Sequence, residues 1–262
     1  MRRFGIAIFI ATTACGHVAG PGPDAAVDAR GGADAAADVP SGAPVVPPVL
    51  VASAGSHADN AMTALVSLTV PEGDNRFLLV WVGVGSNCAD ATVPTIQSVA
   101  YAGLPLTRVT TNSGTPCGPT VTRSEQWQLT SPGTGAHDIV VMLSAAAVTV
   151  HLGALALTGV NQTTPVRASA TGSGKDVAAS VVVDSAPDDL VVSTVGQGFA
   201  VTGPGTGQTA AYIVNATRDT TLDNSAASTA PGAAPVVAMN WTFAMSDEWQ
   251  MIVSSIEPAA PQ

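Results

Sequence analysis

Positive charge is scarce in this sequence, as are aromatic side chains, glutamate and long apolar runs. Lysine and arginine together number nine, Lys175 is the one lysine, and the formal charge is −10. A basic nucleic-acid surface is excluded on that balance, because phosphate binding draws on clustered Lys and Arg. An anionic membrane would repel the chain, so any membrane attachment has to be hydrophobic. Every apolar run is interrupted by Ser, Thr, Asp or Gly well short of the roughly 20 residues a spanning helix needs. The sequence has four glutamates and no G-x-S-x-G elbow, which leaves little material for glycosidase or serine-hydrolase chemistry.

What is present is small and β-branched. Apolar residues make up 46% of the chain, mostly Ala and Val, with Thr, Ser and Gly filling much of the rest. Such a composition favours strands over helices.

The N-terminus predicts export. Arg2 and Arg3 precede an apolar run at 4–11, the length of a secretory h-region. The residues Thr12-Thr13-Ala14-Cys15 resemble a bacterial lipobox, with Thr12 where that pattern usually has Leu. The resemblance implies a signal peptide at 1–14, a lipidated Cys15, and anchoring by two or three acyl chains, where one would hold only marginally. The alternative is a plain signal peptide cleaved near Ala14 or Ala19. Cleavage before Cys15 would take the charge to −12. Residues 16–48 are Ala, Gly, Pro and Asp with no aromatic residue, and they cannot bury enough surface to offset chain entropy. Residues 15–48 therefore read as a disordered tether.

From residue 49 the texture changes. Short apolar runs alternate with Gly, Pro, Asn and Asp at roughly ten-residue spacing, as in a sandwich or barrel. The runs include 61–70 (AMTALVSLTV), 76–84 (RFLLVWVGV), 121–129 (VTRSEQWQL) and 148–157 (VTVHLGALAL). SVAYAGLPLTRV reads as a hairpin around Ala102-Gly103. SATGSGKDVAA at 168–179 reads as a long loop. Its TGSGK lacks the upstream glycine of a phosphate loop and has Asp176 at the Ser/Thr position. The expected architecture is all-β: a single jelly-roll-like antiparallel β-sandwich over 49–258, with a C-terminal tail at 259–262.

NRFLLVWVGV, SVAYAGLPLTRV, SEQWQLTSPGTGAHDIVVMLS, ALTGVNQTTPV, SAPDDLVVS and MNWTF together resemble a β-sandwich module common in secreted and surface bacterial proteins. The resemblance covers about 50–258. It implies a jelly-roll or lectin-like fold found beside adhesive or carbohydrate-active domains, and it supplies no catalytic residues.

With Cys15 given to lipid, Cys88 and Cys117 remain as an even pair in an exported chain, which reads as a disulfide. Free thiols or a metal site are the rival reading, without a CxxC or a nearby histidine to support it. Of the histidines, His137 and His151 fall on strands and are expected at the surface. Glu125 has no carboxylate two or four residues on, so no glycosidase cleft is expected. Sugar stacking would fall to Trp249, beside Asp247 and Glu248, since Trp81 and Trp127 sit inside apolar strands. Calcium is the one cofactor the acids allow: Asp188, Asp189, Asp219, Asp223 and Asn224 could supply oxygen ligands, with Asp219 and Asp223 the main candidates, although a solvated loop explains them equally well. The expected role is a non-enzymatic, lipid-anchored envelope protein displaying the sandwich. Its partners would be the membrane through the anchor, glycans or other envelope proteins, and no nucleic acid. A lectin-like carbohydrate-binding module is the alternative, and a glycoside hydrolase stands behind both.

Overall fold

A computed structural model describes residues 44–87, 93–113, 120–216 and 224–261. All of them belong to one compact unit, Gly42–Gln262. Cys15, Cys88, Cys117, Asp219 and Asp223 lie outside the described residues.

The chain forms the expected all-β antiparallel sandwich, and no helix occurs among the described residues. Its first half supplies β1 (Val49–Val70), β2 (Phe77–Asn87), β3 (Ile96–Tyr101), β4 (Leu104–Pro105), β5 (Thr107–Ser113), β6 (Thr120–Thr130) and β7 (Gly135–Thr158). These make one sheet in the order β4-β3-β7-β2-β6-β5, with β1 alongside β7. The second half supplies β8 (Val166–Asp184), β9 (Leu190–Gln197), β10 (Val201–Pro204), β11 (Thr209–Asn215), β12 (Asn224–Pro231) and β13 (Val236–Ile256). They form the other sheet in the order β10-β13-β9-β12-β11, with β8 alongside β13.

The two sheets follow one plan, down to their irregularities. In β1–β7 the register slips between Leu50 and Ala52, and in β8–β13 between Val166 and Ala168. Further along, a step of two residues in β1 (61 to 63) is matched by a step of five in β7 (147 to 142). Likewise a step of two in β8 (176 to 178) is matched by a step of five in β13 (247 to 242). Bulges between Ile96 and Ser98 and between Arg108 and Thr110 recur between Val201 and Gly203 and between Ala210 and Tyr212. Asn75 and Asp188, each two residues before β2 or β9, share a left-handed backbone with φ of 52° and 68°. A bulge is a specific local feature; the same five devices in the same places define a structural repeat. The long mismatch bends β7 and β13 sharply. Each sheet thus folds over a core of its own, one holding Val80, Val82, Ile139 and Leu152, the other Val195, Met239, Trp241 and Met251.

The halves pack with β1 near β11, β7 near β12, β6 near β13 and β5 near β8. Because β1 is equivalent to β8 and β5 to β11, this is the self-complementary pairing of a two-fold dimer, made within one chain. Phe77, Leu79, Leu155, Leu157, Val192, Ala227 and Ile256 fill one end of the contact. Buried polar side chains, among them Gln126, Thr149, His151, Gln250 and Ser254, fill the other.

Two expectations are corrected. Residues 168–179 are strand, not loop, and lie within β8. Gly172 and Gly174 read as breakers, but they make room for Trp249, whose ring would stand 2.9 Å from a Cβ at Gly174. The TGSGK stretch is therefore extended strand. His151 is fully buried rather than at the surface, because the second half of β7 is flanked by β1 and β2 and covered by the other sheet.

Candidate functional site

The sequence-named binding group sits where β13 bends. Asp247 faces Asp176 in the ladder, Glu248 faces Lys175, and Trp249 faces Gly174 on one side and Gln197 on the other. Trp81 and Trp127 are buried, as expected, and so is Trp241, while Trp249 is half-buried. Its ring is applied to Gly172 and Gly174, so one stacking face is covered by backbone. The Asp247 carboxylate crowds Gly198, where a Cβ would clash with it. These residues share a bend but line none of the hollows described here.

Of the acids considered for calcium, Asp189 is otherwise engaged. Burial alone would raise its pKa, but the Arg167 fork (2.7 and 3.2 Å), the Ala186 N–H and the Ser255 hydroxyl outweigh this and hold the carboxyl below its ordinary value. Arg167 also pairs with Glu257 at 3.3 Å, and the hydrogen bond to Asp189 chiefly raises its own pKa. Asn224 is buried and donates to the Gly198 carbonyl. Among the described residues, no three His, Cys, Asp or Glu side chains stand together as a metal site.

The carboxylates a hydrolase would need are dispersed. Glu125 on β6 is fully buried and accepts from Arg123 at 3.1 Å. Asp138 on β7 is exposed and accepts from Ser67, and Glu248 belongs to the other sheet. His137 is exposed, as expected, with its Nε2 3.3 Å from the Thr134 carbonyl. His57 stacks on His151 with centroids 5.5 Å apart, and its Nε2 lies 3.2 Å from Asp59.

Sequence reasoning missed a groove of about 470 Å³ where the edge strands β5 and β8 approach one another. Arg108, Gln128, Thr163, Arg167 and Ser169 contribute to its wall. Arg167 is fixed by Asp189 and Glu257. Arg108 is half-exposed, makes no hydrogen bond among the described residues, and has Glu125 as its ion partner at 3.7 Å. The Oε1 of Gln128 is buried without a hydrogen-bond partner among the described residues. No sequence motif marks this groove, since its residues come from three strands and a connection. The one available signal was the isolated Arg in LPLTRVTT, a cation in an acidic chain. Two other hollows, of about 580 and 410 Å³, lie at the end where Pro44 to Pro47 enter the fold.

No family model matches this chain, and neither does any curated protein or solved structure.

Proposed function

We propose that the chain is a non-enzymatic, lipid-anchored protein of the bacterial cell envelope that holds a β-sandwich away from the membrane for binding. The observation that carries this reading is the position of the compact unit. It begins at Gly42, so the Ala/Gly/Pro/Asp stretch separates it from the lipobox-like Cys15. Stretched as polyproline, residues 16–41 would span on the order of 80 Å. The dispersal of Glu125, Asp138 and Glu248 supports a binding role over hydrolysis. We read Cys88 and Cys117 as a disulfide pair; they lie one residue after Asn87 and three before Thr120, the last pair of the β2–β6 ladder. Cys15→Ser tests the anchor in the producing bacterium. The wild-type chain is expected in the membrane fraction and the variant in the soluble fraction. A variant that sediments with the membranes as the wild type does would overturn the reading.

A second reading, glycan recognition, is favoured by the open polar groove between β5 and β8.

A further inference from the structure

We propose that the groove between β5 and β8 binds an acidic sugar, a small polyhydroxylated ligand whose carboxylate is taken by Arg108. The inference rests on reading the chain as a binding module and goes on to name the site and the ligand class.

The repeat provides the argument, because it gives this groove a counterpart. Register carries Arg108 onto Ala210, Val109 onto Ala211 and Gln128 onto Thr229. It carries Arg167 onto Val51 and Ser169 onto Ser53. The counterpart, between β1 and β11, is thus lined by Val51, Ser53, Ala210, Ala211 and Thr229, without a charge. It is also bridged: Ser53 donates to the Ala211 carbonyl at 2.7 Å. On the groove side the equivalent Ser169 turns inward to Ser254, at 2.7 Å, and the edges stay apart. One scaffold therefore carries a closed apolar seam and an open one holding two of the chain's nine basic residues.

The groove's chemistry selects the ligand. Arg76 donates to the carbonyls of Pro132 and Gly73, Arg123 to Glu125, and Arg167 to Asp189. Arg108 alone among the described arginines makes no side-chain hydrogen bond to them and meets only Glu125, at 3.7 Å, so most of its planar fork of donors is open to a carboxylate, which it matches in a bidentate manner. Glu125, Asp189 and Glu257 offset Arg108, Arg123 and Arg167, three charges against three, which leaves the wall close to neutral. It thus accepts a singly charged group and opposes phosphate or sulfate. The Gln128 Oε1 is buried without a hydrogen-bond partner among the described residues, and a turn of its side chain toward the groove would let a sugar hydroxyl donate to it. A volume of about 470 Å³ lies toward the smaller end of ligand sites, suited to one or two sugar rings.

Calorimetry and ligand-observed NMR on the full chain would use glucuronate and galacturonate, with glucose and inorganic sulfate as comparison probes. Uronate binding at least tenfold tighter than glucose or sulfate is expected. Arg108→Ala should weaken uronate binding tenfold or more, and Gln128→Ala severalfold. Absence of uronate binding, equal binding of glucose, or equal binding of sulfate each overturns the proposal, as does an unaffected Arg108→Ala. If Arg108→Ala does not fold, amide shifts of the wild-type chain decide. Shifts centred on 107–109, 128 and 163–169 support the site, and shifts elsewhere refute it. The anchor fails separately: uronate binding by a mature chain that the bacterium leaves unlipidated refutes the anchor alone, and a lipidated chain indifferent to uronates refutes the groove alone.

Discussion

Gly153→Ala probes the contact between the two halves at its tightest point. The Tyr212 ring, partly buried with its hydroxyl oxygen enclosed, lies across the paired Gly55 and Gly153 of β1 and β7. A Cβ at Gly153 would stand 1.7 Å from the Tyr212 hydroxyl oxygen and 2.3 Å from Cζ. No rotation within the core relieves such an overlap, so strands must separate; overpacking of this kind costs about 1–3 kcal/mol. For a domain of this size that is a fall of roughly 3–10 °C in Tm, read by scanning calorimetry. The repeat suggests the rescue. Ile252 stands where Gly153 does and Thr110 where Tyr212 does, so the large and small partners are exchanged. Tyr212→Thr alone should cost about 2–4 kcal/mol by leaving a cavity. On that background, Gly153→Ala should cost close to nothing, a coupling of at least about 1 kcal/mol. If Gly153→Ala sits within about 0.5 kcal/mol of wild type, or costs the same in the wild-type and Tyr212→Thr backgrounds, the packing argument fails.

Asp189→Ala should destabilise by about 2–3 kcal/mol in urea unfolding, because it strips partners from Arg167, Ser255 and the Ala186 amide. The depressed pKa of Asp189 adds stability that is present above about pH 4, its unfolded value, and is lost as pH falls through the lower folded value. The variant's urea midpoint should accordingly change less than that of the wild type between about pH 5 and pH 2. Tyr212 behaves oppositely: burial pushes its phenol up, so its contribution is present below about pH 10 and lost as pH rises beyond that. Tyrosinate absorbance should show one tyrosine ionising only with alkaline unfolding, and Tyr212→Phe should abolish that step. The disulfide proposed between Cys88 and Cys117 predicts that reductant lowers stability by roughly 3–4 kcal/mol, as for a loop of ~30 residues, measured as a Tm difference with and without reductant; an unchanged Tm would refute the pairing.

Alternation made the strands legible wherever one face meets a core, as in Ala64, Val66, Leu68 and Val70 of β1. It failed where partners far along the chain decide. Gly172 and Gly174 look like loop residues until Trp249 is seen to cover them, and His151 looks like a surface residue until the second sheet is placed over it. β7 and β13 each continue through their mismatch, since hydrogen bonding resumes on both sides of it. The repeat itself lies in register and bulges, which residue types barely record: Arg108 is matched by Ala210 and Arg167 by Val51. For the same reason the groove was invisible in the sequence, whereas the lipobox-like cysteine, a purely local pattern, was not.

The account's central claim is that a lipid at Cys15 holds this sandwich at the envelope, and intact-mass spectrometry of the mature protein from membranes tests it most directly. The predicted result is a chain beginning at Cys15 and carrying the mass of a diacylglyceryl group, with or without a further acyl chain. A mature chain that begins beyond residue 15 and carries no lipid would contradict it.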